Sequence, residues 1–436
     1  MGLLLTFFYI LFFIFIIWKL SFFSFKSISK RILIGVFILK IGVGFFLYYL
    51  YSSHYADRST ADIFKYFDDS YHMTKAIRTK PMDYFKMLFG VWNDSEYFNV
   101  TYYDHMNNWF RVYQSSMYND SHAIIRFNAF VRLFSFGYFH VHTVFMCFLS
   151  FTGTVAFIKA LQIVIPEKTK LFFYLIFLTP SILFWTSGVL KEGLMLFALG
   201  FIFLAVVKLK ESVLQNGQKV IWLFVCFYLL TLLFQLKFYV FLFFLVLLIG
   251  YIVFSEKNKH PIVTSLTVML SAILIFIGVF NFLSQEFNLL ELVALKQADF
   301  IILAKEQNAA SYFEITPLKP SLTSLISTIP EALLNSFFRP FPWDANGALL
   351  MLSVFENILL VLFFILVLFS FKKPEKNVLN LAILFFLAGI GIYLVVGWST
   401  PVAGALVRYK IPGTLFIVVA LSFCLDSTKI SIKRLR

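Results

Sequence analysis

The chain is predicted to be an all-α integral membrane protein with about eleven transmembrane helices, and three observations predict it. Hydrophobic residues make up 60% of 436, and Phe alone numbers 59. Apolar runs of roughly 17 to 25 residues recur, the length at which a helix crosses about 30 Å of hydrocarbon. Basic residues then mark every second connection between the runs, as they do on the cytoplasmic side of a multi-pass protein.

The spans fall at 2–18, 31–51, 141–163, 171–186, 190–207, 219–235, 238–254, 262–283, 347–371, 378–397 and 408–425. Lys26, Lys30 and Arg31 fill the first loop, Lys168 and Lys170 the third. Lys208, Lys210 and Lys219, then Lys257 and Lys259, then Lys372, Lys373 and Lys376 follow at alternate connections, and the tail carries Lys429, Lys433, Arg434 and Arg436. All fall on one side if the N-terminus is outside and the C-terminus cytoplasmic. The net charge of +14 is then a topology signal with some affinity for anionic lipid, and gives no reason to invoke nucleic acid. Met1-Gly2-Leu3 lacks a basic leader, and Ser21 to Ser24 is a poor cleavage site, so the first span is expected to stay. Cys147, Cys226 and Cys424 lie inside spans, where neither a disulfide framework nor a metal cluster is expected.

No linker, repeat or low-complexity tract divides the chain, which reads as one polytopic domain, 1–436, with two large extracytoplasmic regions of short amphipathic helices at 53–140 and 284–346. The aromatics of the first, among them Tyr97, Phe98, Tyr102, Tyr103, Trp109, Phe110, Tyr113 and Tyr118, suit a surface at headgroup level. That region opens with Ser59 and Asp62, spaced as a capping box, so a helix is expected from about Thr60. At about 3.6 residues per turn, Asp62, Tyr66, Asp69 and Met73 share one face, and Asp68 joins Lys65 and His72 on the next. Asp62, Asp69 and Asp68 are the candidates for a general base or for carboxylates holding a divalent cation. Asp57 reads as a structural acid, and the alternative for the three is that of dipole-stabilising acids on a solvated helix.

Four further junctions carry charge where topology does not require it. In the first, Thr179 to Gly193, Pro180 breaks the helix and Lys191 and Glu192 enter the next one near its start, where backbone N–H groups and a lysine suit phosphate, with Trp185 a platform for sugar or isoprenoid. Lys191 and Glu192 could instead satisfy each other. In the second, Lys237 interrupts a long apolar run against the positive-inside trend. The third is Phe338-Arg339-Pro340-Phe341-Pro342-Trp343-Asp344, an Arg and an Asp flanking two prolines and two aromatics. The fourth ends Arg408-Tyr409-Lys410-Ile411-Pro412. Arginine suits phosphate because its planar fork donates two hydrogen bonds at once. Two charges lie deep within spans, Lys40 and Glu356, the latter beside Asn357; each needs a partner, and a Lys40–Glu356 pair is the structural expectation, with a proton relay as its functional rival.

Arg408-Tyr409-Lys410-Ile411-Pro412 resembles the Arg-Tyr-x-x-Pro signature of lipid-dependent membrane glycosyltransferases of the GT-C superfamily, including protein mannosyltransferase-like and aminoarabinose transferase-like members. Asp62 with Tyr66 is similar to their first-loop acidic motif, and Pro180 to Ser187 with Glu192 to their mid-chain proline-serine segment. In that family the acidic loop follows the first span, whereas here it follows the second. The Phe338–Asp344, Trp185–Glu192 and Arg408 segments also resemble uncharacterised polysaccharide-cluster membrane proteins of Bacteroidota-type bacteria. The resemblance implies inverting transfer of a sugar from a polyprenyl-phosphate donor to a glycan or glycolipid acceptor at the outer face of the bacterial cytoplasmic membrane. Asp62 would match the catalytic acid and Arg408 the donor-phosphate contact. Around them, Arg339, Lys191 and Lys237 complete the lipid-phosphate set, and Trp185, Glu192, Trp343, Asp344 and Tyr409 the substrate-binding set. The rivals are a repeat-unit polymerase or O-antigen ligase, which relies chiefly on cations, and a lipid-linked glycan flippase or transporter, which needs Lys40 and Glu356.

Overall fold

The computed structural model describes residues 1–55, 57–110, 119–211, 215–253, 263–268, 270–271, 278, 289–345 and 347–426. Its principal helices are α1 Gly2–Lys19, α2 Lys30–His54, α3 Asp62–Thr79, α4 Pro81–Phe89, α5 Glu96–Thr101, α6 His122–Ser135, α7 Phe139–Val164, α8 Thr169–Leu178, α9 Pro180–Trp185, α10 Lys191–Lys210, α11 Asn216–Leu236, α12 Phe238–Val253, α13 Leu289–Glu306, α14 Leu322–Ser327, α15 Ile329–Phe338, α16 Ala348–Phe369, α17 Lys376–Ser399, α18 Ala403–Tyr409 and α19 Ile411–Cys424. The protein is all-helical, and no strand is found among the described residues.

Seven helices among the described residues, α1, α2, α7, α10, α11, α16 and α17, are long and apolar enough to cross a membrane. The pair α18 and α19, bent by 52°, makes an eighth if it is one span. Their repetition is that of a multi-pass membrane protein. The expected span at 171–186 is instead two short helices, because Thr179 ends α8 in an extended conformation ahead of Pro180. The run at 238–254 appears as α12, 16 residues long. Most of the run at 262–283 lies outside the described residues, as do Tyr113, Tyr118, Lys257, Lys259 and the basic tail from Lys429.

The chain divides into two compact units: Met1–Val112, Ser116–Ile163 and Leu183–Lys237, then Tyr113–Ser115, Val164–Ile182 and Phe238–Arg436. In the first, α7 and α10 are buried along most of their length, whereas α1 and α11 leave most of theirs exposed. Glycines let α7 and α10 touch backbone to backbone, for a Cβ on Gly200 would collide with the Gly153 carbonyl. In the second unit, α12, α13, α15 and α19 all pack on α17. That helix presents small residues at its crossings: a Cβ on Gly389 would stand 3.0 Å from the Gly413 carbonyl of α19, and one on Gly397 would strike the Ala332 carbonyl of α15.

The described part of 53–140, expected outside the membrane, has a core of its own. Phe98, Tyr102, Tyr103 and Trp109 are buried, while Tyr97 and Phe110 are exposed. Tyr103, Trp109 and His122 form a continuous stack, with ring centroids 4.1 and 3.8 Å apart. Four of the aromatics expected at headgroup level therefore hold this region together instead, with the Tyr102 hydroxyl donating to Asp83 of α4 and Trp109 stacked on His122 of α6.

Candidate functional site

In the first unit the acids divide by what they hold. Asp57 caps a 3-10 turn at Arg58–Thr60, accepting the Ser59 amide at 2.8 Å and the Ser59 hydroxyl at 2.6 Å. Those bonds hold its carboxyl below the usual range. The expected capping box is absent: α3 starts at Asp62 behind Ala61, which has no side chain to cap with, since Asp57 has already engaged Ser59. The helical face is as expected, with Tyr66, Asp69 and Met73 buried and Asp62 at the half-buried helix start.

Asp68 makes a two-bond pair with Arg58, 2.7 and 3.0 Å long. Asp69 accepts the backbone amides of Asn107 and Asn108, each at 2.8 Å. Burial raises its carboxyl to about 6, against the lowering effect of those two bonds. Asp68 is thus committed to an arginine and Asp69 to two amides, an environment that suits carboxylates serving as structural acceptors. Among the described residues, no group of three or more His, Cys, Asp or Glu is arranged to hold a metal ion.

Lys191 and Lys237 meet on one carboxylate that the sequence reading did not single out. Asp120 accepts Lys191 at 2.7 Å on one oxygen and Lys237 at 3.4 Å on the other. Lys191 also lies 5.3 Å from the centre of the Tyr66 ring, on the acid-bearing helix. Its expected mate Glu192 is buried in the same first turn of α10. Trp185 is half-buried beside Phe184, ring centroids 5.0 Å apart. Asp120 could have been found from Asn119-Asp120-Ser121, a helix-start composition just before α6.

In the second unit two of the singled-out motifs converge. The end of α15 turns at Arg339, whose Nε donates to Asn335 Oδ1 at 3.0 Å and whose NH1 pairs with Asp344 at 2.9 Å. Its guanidinium carbon lies 4.2 Å from the centre of the Phe313 ring. Trp343 stacks on Phe341 at 4.9 Å and is 77% exposed. The segment is held from below by Asn357 of α16, which donates to the Phe338 and Arg339 carbonyls at 3.1 Å each.

Lys410, at the bend between α18 and α19, completes the arrangement. It is 2% exposed and donates to Asn357 Oδ1 and to the Ser336 carbonyl, both at 2.9 Å, and to the Arg339 carbonyl at 3.4 Å. Among the described residues no carboxylate lies within ion-pair distance of it. Glu356, the neighbour of Asn357, acts on this ammonium from beyond ion-pair distance, whereas Arg339 pairs with Asp344 directly. Arg408 is buried on α18, and Tyr409 accepts the Tyr239 hydroxyl on its carbonyl at 3.0 Å.

The expected Lys40–Glu356 pair gives way to two local arrangements. Within the first unit, Lys40 donates to the Thr186 hydroxyl at 2.7 Å. Within the second, Glu356 accepts the Ser181 amide at 2.5 Å and its hydroxyl at 2.7 Å. Hydroxyls and backbone amides at helix breaks are the polar groups nearest each charge, and they satisfy it without a long-range ion pair. The chain matches no family model, no curated protein and no solved structure.

Proposed function

We propose that the protein is a membrane glycosyltransferase of GT-C type, with about eleven spans and an external N-terminus, in the bacterial cytoplasmic membrane. It would transfer a sugar from a polyprenyl-phosphate donor to a glycan or glycolipid acceptor outside that membrane, in cell-surface polysaccharide assembly. The observation that carries this reading is the gathering of Lys410, Asn357 and the Arg339–Asp344 segment, with exposed Trp343 beside them. A buried ammonium held by neutral oxygens, with Glu356 beyond ion-pair distance, favours an anion nearby, an arginine reads phosphate, and an exposed indole offers a face to a sugar ring. In the transfer, an acceptor hydroxyl oxygen bonds to the sugar's anomeric carbon as the bond from that carbon to the phosphate oxygen breaks. The acceptor proton passes to a base, for which Asp62 is the candidate, and the leaving phosphate keeps the electron pair and is stabilised by cations.

A repeat-unit polymerase or ligase is the second reading, and one observation favours it. Asp68 and Asp69 are both engaged as structural acceptors, which shifts the weight of the chemistry toward the cations. Lipid-linked and surface glycans of a deletion strain, complemented with wild type, Asp62→Asn or Arg408→Ala, separate the two by mass spectrometry. Accumulated lipid-linked donor and glycans missing one sugar, in the deletion and in both variants, support the transferase. Single intact repeat units with Arg408→Ala, and normal glycans with Asp62→Asn, support the polymerase; unchanged glycans in the deletion overturn both.

A further inference from the structure

The first unit exposes an apolar face that its own packing leaves uncovered. On α4, Asp83, Tyr84 and Met87 are buried, and the opposite side shows Met82, Phe85 and Phe89 to the outside. The spacing is that of one helical stripe. Trp92 follows the left-handed turn at Gly90 and is 84% exposed. A soluble loop does not usually present such a row of large apolar side chains.

The backbone is strained in the same place. Only three non-glycine residues among those described have positive φ, and two of them are exposed aromatics of this region, Trp92 at 52° and Phe136 at 50°. A bulky residue in the left-handed region is an outlier, held only where the surroundings over-determine it. Here the conformation drives a ring outward.

The face also continues onto a candidate span. The N-terminal part of α1, a candidate span, touches the end of α6: Tyr9 donates to the Phe134 carbonyl at 3.1 Å, and Gly2 lies against the Tyr138 ring. From there α6 exposes Phe130 and Phe134. Against α6 sits α4, fixed by Tyr84 donating to the Ala129 carbonyl at 3.2 Å and Arg126 donating to the Met87 carbonyl at 2.9 Å. The lysines at the start of α4 and along it are engaged within the region: Lys80 donates to the Tyr97 hydroxyl at 2.7 Å and Lys86 lies 6.0 Å from the centre of the Phe98 ring, which leaves the apolar row as the outward face.

We infer that α4 and the Trp92 turn are an interfacial anchor, seated in the leaflet on the side where α6 enters α7. The occupant of the apolar face is lipid at the boundary of headgroups and acyl chains, where aromatic rings are favoured. The first extracytoplasmic region would then lie down on the bilayer instead of standing in water. This inference is independent of the reaction proposed above.

Spin labels placed one at a time at Phe85, Phe89 and Trp92 of the full chain in lipid nanodiscs test it, with Asp94 and Glu96 as controls, in a background with its three native cysteines replaced. Collision with oxygen should exceed collision with a water-soluble nickel chelate by several-fold at the three apolar positions, and the order should reverse at the controls. Nickel access at Phe85, Phe89 and Trp92 equal to that at Asp94 would overturn the inference. So would dipolar broadening between labels on separate chains, which would assign the face to a second copy.

Discussion

Replacing Asp69 by Asn should erase a pH dependence that the wild-type protein shows between about pH 4 and 6. The carboxyl is 1% exposed, and burial lifts it from 3.8 to about 6 in spite of two amide hydrogen bonds. An opening of the segment around Asn107 and Asn108 wets the carboxyl and returns it to its ordinary value, so the open form binds fewer protons throughout that window. Opening therefore becomes easier as pH rises through the window and levels off above it. At about 1.4 kcal/mol per pH unit, the whole swing is about 3 kcal/mol, on the order of a hundredfold in the opening equilibrium. His72, on the same helix, acts with the opposite sign: burial and the neighbouring His105 hold its imidazole below 6.5, so it favours the closed form as pH rises toward that value. Lys65 and Asp68 on α3 and Arg132 on α6 also bear on these two groups. All of them are common to both proteins, and the difference between wild type and Asp69→Asn isolates the one carboxyl. Amide hydrogen exchange at Asn107 and Asn108, corrected for the intrinsic effect of pH, should show wild-type protection falling across the window and a flatter curve for Asp69→Asn. Parallel curves would refute the reasoning.

Three other substitutions probe different layers. Gly200→Val drives a side chain into the Gly153 carbonyl, a backbone atom that cannot rotate away, and should cost several-fold in yield of monodisperse protein on size exclusion; Gly42→Ala, with nothing within 4 Å, should be neutral. Arg58→Ala removes the pair with Asp68, whose side chains are 46% and 38% exposed, and should lower the melting temperature only slightly, for a loss of about 1 kcal/mol or less. Lys410→Met keeps the volume and removes the charge, and should reduce glycan transfer by about a hundredfold or more, the scale of one lost electrostatic stabiliser; near-normal transfer in membranes would remove Lys410 from the site.

The helices were largely legible because apolar run length is a direct readout of bilayer thickness. Seven runs became long helices, and the failure at 171–186 was local: Thr179 and Pro180 break the helix inside an otherwise continuous apolar stretch. The face shared by Tyr66, Asp69 and Met73 was legible from period alone. Their partners were not. Nothing in the spacing shows that Asn107 and Asn108 close over Asp69, that Arg58 reaches Asp68, or that Asp120 gathers Lys191 and Lys237, since each contact depends on how loops fold back. The burial of Tyr103 and Trp109 was missed for the same reason: composition cannot tell a lipid-facing aromatic from one in a small core.

Lys40 and Lys410 explain together why pairing opposite charges along the sequence fails here. Each is buried, and each takes neutral oxygens at a place where the backbone leaves helical geometry. Lys40 holds Thr186, between α9 and α10, and the Ser150 hydroxyl donates to the Thr186 carbonyl at 2.7 Å, closing the same knot. Lys410 holds the Ser336 carbonyl at the end of α15 and shares the Arg339 carbonyl with Asn357. A carbonyl without a donor is costly in an apolar surround, and a lysine has three hydrogens to offer. Such a lysine acts as a staple for irregular backbone. The two staples should separate by experiment. Lys40→Met loosens the turn ahead of Lys191 and should lower thermal stability, with any loss of transfer following the loss of folded protein. For Lys410→Met, transfer should fall well below what the remaining folded protein accounts for, because that ammonium also faces the segment that carries Arg339 and Trp343. Equal specific activity of the two variants per folded molecule would reduce Lys410 to a structural staple and remove it from the site.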